Sequence, residues 1–246
     1  MTPEQAAELG SLDPEAIARV RLEAWPQVGS ADELHDALVL LGFVTAREGA
    51  QWSVQFERLR ADRRATVVEL PNAGEVWVSA ERWPEVRAIA PAAKCADELP
   101  VLDGHGAPAY ADTALRELVR SRFEALGPVT AETLAAPFGL QAADVLPALY
   151  ALQQEGVAMR GNYTGARTEE GQAEEWCERR LLARIHRYTL KRLRSEIEPA
   201  TLADFQRFLF HWQGMGGEKR QGVDALGAVP GELQGLALPA ALWERE

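Results

Sequence analysis

The chain has little of the chemistry that marks an enzyme. Of its 246 residues two are cysteines and four are histidines. Cys95 and Cys177 sit in no CxxC or Cys/His cluster, which argues against both a structural zinc site and a disulfide framework. Both are expected to be reduced and structural. His35, His105, His186 and His211 are isolated, without HExxH or HxH spacing, so no metal is expected. Cys177 and His186 are nine positions apart on one expected helix, too far to act as a thiol–imidazole pair. No GxxxxGK[ST] loop is present to cradle nucleotide phosphates, and no cofactor is expected. No apolar run approaches the roughly 20 residues of a membrane helix. The N-terminus MTPEQAAELG has neither the basic nor the apolar region of a signal peptide. A soluble cytoplasmic protein that does not enter a membrane is expected, with 47% hydrophobic residues to supply a core.

Positive charge is also scarce. Lys and Arg number 26 against 37 Asp and Glu, a net charge of −11. Carboxylates repel phosphate, so sequence-independent nucleic-acid binding over the whole surface is excluded, and any such contact must be local. Yet residues 179–194 hold seven Lys/Arg and no Asp or Glu. Residues 178–220 sum to +5, leaving −16 for the rest. At about 100° per residue, Arg180, Arg184, Arg187, Lys191 and Arg194 fall in one narrow stripe. Leu181, Leu182, Ile185, Tyr188 and Leu193 fall mostly on the other side. Such a cationic stripe fits a track for a phosphate backbone; it equally fits a solvated face whose arginines pair with acidic neighbours.

Along the chain, Asp13-Pro14 predicts a capped helix with Ile17, Val20, Leu22 and Trp25 on its apolar face, stopped by Pro26. Ser30-Ala-Asp-Glu is a capping box opening a helix that ends at Gly42. A third helix is expected over 52–60. The period then changes: 65–70 and 75–80 are β-rich runs joined by Pro-Asn-Ala-Gly, a hairpin signal. Three helices and a hairpin describe a winged helix. The expected fold is mainly α with short β-hairpins, an α+β arrangement of tandem winged-helix units. The first unit takes 1–83, a Pro/Gly/Ala-rich linker 84–111, the second unit 112–170, and a third, truncated helical unit 171–246.

In the second unit Asp112 is expected to cap a helix ended by Gly127-Pro128, and Thr130 a short helix stopping at Gly139. A longer helix over 142–155 follows, with Pro147 expected to kink or shorten it, and VAMRGNYT is read as a wing strand. This helix-turn-helix spacing has the wrong chemistry for reading bases. Residues 141–155 include Asp144 and Glu155 and no cation, so this helix is expected to pack on protein. Arg160 and Arg167 in the wing are then its phosphate candidates, with Arg58, Arg60, Arg63 and Arg64 offered by the first unit. In the third unit the basic helix ends at Glu198-Pro199, and Thr201 caps a helix through Phe205, Phe208, Leu209 and Trp212. Gly214, Gly216, Gly217 and Gly222 make a flexible loop, and the chain stops about two turns into a helix opened by Pro239, which marks a fragment.

The run EEWCERRLLARIHRYTLKRLRSEIEPATLADFQRFLFHWQ resembles a segment that follows the motor of the large Lhr-type (long helicase-related) bacterial helicases. LDPEAIARVRLEAWPQVGSADELHDALVLLGF, EVWVSAERWP and GPVTAETLAAPFGL resemble the segments before it, so the likeness covers 12–246. It implies winged-helix modules that handle DNA beside an ATP-dependent motor in DNA repair. This chain has no motor, stops before that family's C-terminal region, and breaks an expected helix with glycines and Pro230.

Two tempting assignments fail on context. Asp32-Glu33-Leu34-His35 spells a DExH box, but it lies in the first turn of a capped helix rather than after a buried strand. The glycosylases with similar winged-helix repeats use a Gln-x-Gln or Gln-x-Asp triplet, and none occurs here. Among aromatics that could stack on bases, Trp176, Tyr188, Phe205, Phe208, Phe210 and Trp212 surround the basic helix. Phe205, Phe208 and Trp212 have core spacing, and Tyr163 is the better stacking candidate against a plain surface tyrosine. The expected function is a non-catalytic accessory module that binds single-stranded or duplex DNA through the basic helix. The alternatives are a module for self-association or for docking a helicase motor chain, and a glycosylase-like protein. Arg179 and Arg192, off the stripe, are expected in salt bridges.

Overall fold

A computed structural model describes residues 12–71, 73–100, 110–168, 171–195 and 200–212. One compact unit ends at Arg194 and a second begins at Ser195. In the first, helix α1 (Pro14–Ala24) is capped by Asp13, whose carboxylate accepts from the amides of Glu15 and Ala16. Helix α2 (Ala31–Leu41) has the complete capping box: Ser30 accepts from the Glu33 amide and Glu33 from the Ser30 amide. Gly42 ends it at φ 81°, in the region where a side chain would be strained. Strand β1 (Val44–Thr45) and a 3₁₀ turn lead into α3 (Ser53–Ala61), and β2 (Ala65–Glu69) and β3 (Glu75–Ser79) form the expected hairpin.

The sheet order is β1-β3-β2 and then β4 (Lys94–Cys95), all antiparallel, with Val67 opposite Trp77. Its inner face, with α2 and α3, closes over Leu34, Leu38, Leu41, Trp52, Phe56 and Leu59. Phe56 stacks on Trp77 at 3.9 Å between centroids. Residues 84–100, expected as linker, are ordered. They hold most of α4 (Trp83–Ile89) and strand β4 (Lys94–Cys95), which extends the sheet by pairing with β2. The composition is linker-like, but Val86 is buried and Asp97 is bonded to Arg60, so long-range contacts order the segment.

Helix α5 (Ala111–Leu126) starts at Tyr110 without a side-chain cap; Asp112 lies inside its first turn rather than at the cap. Thr130 caps α6 (Ala131–Ala135), and after the left-handed Gly139 comes α7 (Ala142–Gln154). Pro147 neither stops nor shortens α7, which runs through it as one helix. Strand β5 (Ala158–Gly161) pairs antiparallel with β8 (Glu175–Glu178), and Val129 bridges to Trp176 on the other edge. Between them lies the small hairpin β6 (Arg167–Thr168) and β7 (Gly171–Gln172). The order here is helix, edge bridge, two helices and a returning strand pair, and the fold is α+β.

Trp176 is the largest fully buried side chain of this core, set edge-on to Tyr150 and packed with Phe123, Leu149 and Leu152. Two bonds tie it into the strand edge: its amide and carbonyl exchange hydrogen bonds with those of Val129. The β-sheet cluster and the α5–α7 cluster meet at Phe43, Leu118 and Phe138. There Arg122, its side chain 5% exposed, reaches Glu48 and the Phe43 carbonyl and lies over the Trp25 and Phe43 rings.

Helix α8 (Arg179–Ser195) follows β8 directly, with the Glu178 carboxylate accepting from the Leu181 amide. The sequence grouped both elements with a third unit; in the structure β8 belongs to the β5 pair and α8 packs on α1. Leu22, expected on the apolar face of α1, is exposed. In the second unit α9 (Leu202–Trp212) is capped by Thr201, which accepts from the Asp204 amide. Phe205, Phe208 and Trp212, expected in a core, are each about half exposed. The expected end of the basic helix at 198–199, the glycine loop and the terminal helix lie outside the described residues.

Truncating Trp176 tests this core. Trp176→Ala is expected to cost about 3–5 kcal/mol, as for other buried large-to-small changes. Urea denaturation would show it as a lowered midpoint at similar slope.

Candidate nucleic-acid interface

The orientation of α8 follows from its apolar stripe. Leu181, Ile185 and Thr189 are buried four residues apart, and with Cys177 they close over Leu12, Ala16, Ile17 and Val20 of the α1 segment. Polar contacts fix the register. The Thr189 hydroxyl accepts from the Asp13 amide at 3.1 Å and donates to the Ile185 carbonyl. Arg192 pairs with Asp13 at 2.6 Å and with Glu15. Leu193, expected on the apolar side, is 54% exposed instead.

With that face covered, the cationic stripe turns outward. Arg180, Arg187, Lys191 and Arg194 are exposed and, among the described residues, form no ion pair. Arg187 lies over the Tyr188 ring at 5.5 Å. Arg180 and Arg194 are about 21 Å apart along the axis at 1.5 Å per residue. Arg184 differs from the other four: its guanidinium donates to Glu23 of α1 at 2.7 Å. Of the two off-stripe arginines expected in salt bridges, Arg192 makes them and Arg179 is exposed without one.

The cations expected elsewhere divide in the same way. Arg60 is held by Asp97 and Glu57, which raise the basicity of its guanidinium, and Arg64 pairs with Asp32. These long-range pairs turn two of the four first-unit candidates inward. Arg58 and Arg63 remain exposed. Arg63 stands at φ 55°, the only left-handed non-glycine residue among those described, where a helix usually ends in glycine. Arg160 pairs with Glu174 at 2.6 Å, and the side chain of Arg167 lies outside the described residues.

Tyr163 is no free stacking platform. Its ring packs against Gly161, where an added Cβ would come within 2.7 Å, and against the α1–α8 cluster. Glu175 holds its loop by accepting from the amides of Tyr163 and Thr164. In the DELH segment Asp32 faces Arg64, Glu33 caps α2, and His35 meets Glu81 at 3.2 Å. Among the described residues no group of three or more His, Cys, Asp or Glu could hold a metal ion. Nor is any helix among them long and apolar enough to cross a membrane. The sequence missed Arg19 as a neighbour of the stripe, because its link to it runs through Glu23, 161 positions from Arg184.

Burial pushes the Cys177 thiol up to about 12, so it is a neutral core group rather than a nucleophile. The Tyr163 phenol beside it is likewise raised by burial to about 12. A proton held more tightly in the folded state stabilises it below the unfolded value, and that stability is lost as pH rises towards the folded one. Folding stability is therefore expected to fall between about pH 9 and 12, using an ordinary thiol value near 8.5 as the lower bound. Urea midpoints measured across pH 7–10.5 would show the decline, and Cys177→Ala should remove part of it.

Residues 200–246 match the family model described as "Large helicase-related protein, winged-helix domain". Over 255 aligned positions, 97% of the chain is 29% identical to "Lhr helicase/ probable uracil glycosylase" of Mycolicibacterium smegmatis. The chain spans 15% of that relative's length.

Proposed function

Taking the chain as an Lhr-related winged-helix region, we propose that it is a non-catalytic accessory module that binds the DNA backbone through the outer face of α8. The observation that carries this is the division of the arginines. In a protein of net charge −11, Arg60, Arg64 and Arg160, three of the six candidate cations outside α8, are held by carboxylates, whereas Arg180, Arg187, Lys191 and Arg194 share one exposed face unpaired. Leaving four like charges side by side is unfavourable unless an anion joins them, and a phosphate chain supplies anions at a matching repeat. Arg58 and Arg63 are the auxiliary contacts of the β-sheet half, where an arginine in a left-handed position indicates a side chain kept for its charge.

Such contacts position a strand without reading its bases. The winged helix at 111–178 agrees, because the exposed side of α7 presents Asp144, Tyr150 and Gln154 and no cation. We read the β-sheet half around α2 and α3 as the first winged-helix unit, this as the second, and the segment matched to the family at 200–246 as part of a third. The helicase and glycosylase named for the relative belong to that much longer protein. This chain's share is to hold nucleic acid beside such machinery, in the cytoplasm, within DNA repair.

The test is the salt dependence of binding to a labelled 20-base-pair duplex and the matching single strand. Replacing Arg180, Arg187, Lys191 and Arg194 together by Ala should weaken binding and flatten the slope of log K against log salt by about three to four, near 0.9 per lost duplex contact. An unchanged slope removes α8 from the mechanism. Self-association that salt dissolves, with no DNA shift at any salt, would establish an assembly module instead.

A further inference from the structure

Beside the exposed stripe, α1 and α8 gather a second set of charges that shares only Arg187 with the four-residue track. Glu23 accepts from Arg19 at 2.8 Å, from Arg184 at 2.7 Å and from the Tyr188 hydroxyl at 3.1 Å. The Arg19 guanidinium lies 4.3 Å from the centre of the Tyr188 ring, and that of Arg187 lies 5.5 Å from it. Three guanidiniums therefore surround one tyrosine and one carboxylate, a local excess of two positive charges. The two ion pairs that neutralise Glu23 hold it ionised, at about 2.

Each of these groups is solvent-accessible to a degree, with the Arg19 side chain 61%, Arg184 33% and Glu23 30% exposed. A guanidinium carries five N–H donors in a planar fork, so pairing with Glu23 leaves each arginine with donors directed elsewhere. By its helical phase Arg184 stands at the edge of the stripe, about 40° from Arg180 towards the covered face, and it turns aside to α1.

We infer that Arg19 and Arg187, over Tyr188, and Arg184, joined to them through Glu23, form a phosphate-binding notch that carries the α8 track across to α1, with Glu23 as the internal anion that the phosphate competes against. This rests on α8 being the DNA-binding face. Glu23 sets the strength of the notch: it keeps Arg19 and Arg184 in place in the free protein and lowers their gain on meeting DNA. A phosphate entering the notch meets preoriented guanidiniums at the cost of one repelling carboxylate. Removing the negative charge while keeping the shape should therefore strengthen binding.

Binding of the same 20-base-pair duplex to the full chain tests this, with the Glu23→Gln variant compared against wild type over a salt series. Glu23→Gln should raise affinity at low salt by about tenfold and steepen the slope of log K against log salt by about one to two, near 0.9 per phosphate newly neutralised. Adding Arg19→Ala and Arg184→Ala to Glu23→Gln should abolish both gains. Asp36→Asn, which removes an exposed carboxylate on α2, controls for net charge alone and should give neither. Circular dichroism melts of every variant confirm folding; if Glu23→Gln melts early, Arg19→Ala in the wild-type background replaces it and should lower affinity about two- to fivefold. Unchanged affinity in that replacement overturns the notch. So do an unchanged slope in a folded Glu23→Gln, an equal gain in Asp36→Asn, and persistence of the gain without Arg19 and Arg184. If the wild type binds while only the four-residue track variant loses binding, the track stands and the notch falls. If the wild type does not bind duplex at all, both fall.

Discussion

Helix α8 has one face it must hide, and α1 is what hides it. Leu181, Ile185 and Thr189 close against Ala16, Ile17 and Val20, and the Asp13 cap of α1 doubles as a partner for Thr189 and Arg192. Every other property of the basic helix follows from that contact. Once the apolar stripe is covered, 3.6 residues per turn leave Arg180, Arg187, Lys191 and Arg194 on the opposite side, facing solvent. The same contact anchors the β5–β8 end of the α5–α7 unit, since Cys177 and Tyr163 share the cluster and the Leu12 amide donates to the Tyr163 carbonyl.

Arginine serves two purposes in this protein, and only the fold separates them. Arg122 is a joint: buried against two aromatic rings and bonded to Glu48, it links the β-sheet half to α5. Arg60 in the last turn of α3 and Arg64 just past it bind Asp97 and Asp32, while Arg120 and Arg116 tie α5 to Glu155 at the end of α7. Arg21 donates to the Leu126 and Pro128 carbonyls, closing the C-terminal end of α5. Exposed pairs of this kind contribute little stability one at a time, but they neutralise cations that would otherwise attract phosphate. Among the described residues, four of the cations left without an ion pair share one face of α8, in a chain whose net charge is −11.

The elements legible in the sequence were those written in local signals. Asp13-Pro14, the Ser30 capping box, Gly42, Thr130 and Gly139 each mark a boundary through a hydrogen bond or a backbone angle set within four residues. Residues 84–100 escaped because α4 and β4 are too short to show a period and are ordered by contacts with α5 and β2. Pro147 misled because α7 keeps its course through packing of Val145, Leu149 and Leu152, despite the hydrogen bond a proline cannot make. The stripe itself could be read from its spacing. Its inward-turning member could be read only in part: Arg184 lies about 60° nearer the covered face than Arg187 by helical phase, but no local pattern places Glu23 beside it.

If the outer arginines of α8 meet phosphate, the paired arginines stay where the fold holds them. Side-chain Nε–H resonances of assigned arginines, followed by NMR as a 20-base-pair duplex is titrated in, separate the two groups. Arg180, Arg187 and Arg194 are expected to shift together along one binding curve while Arg60, Arg122 and Arg160 stay unmoved. Shifts confined to Arg60, Arg122 or Arg160, with the α8 signals unchanged at saturating duplex, would contradict it.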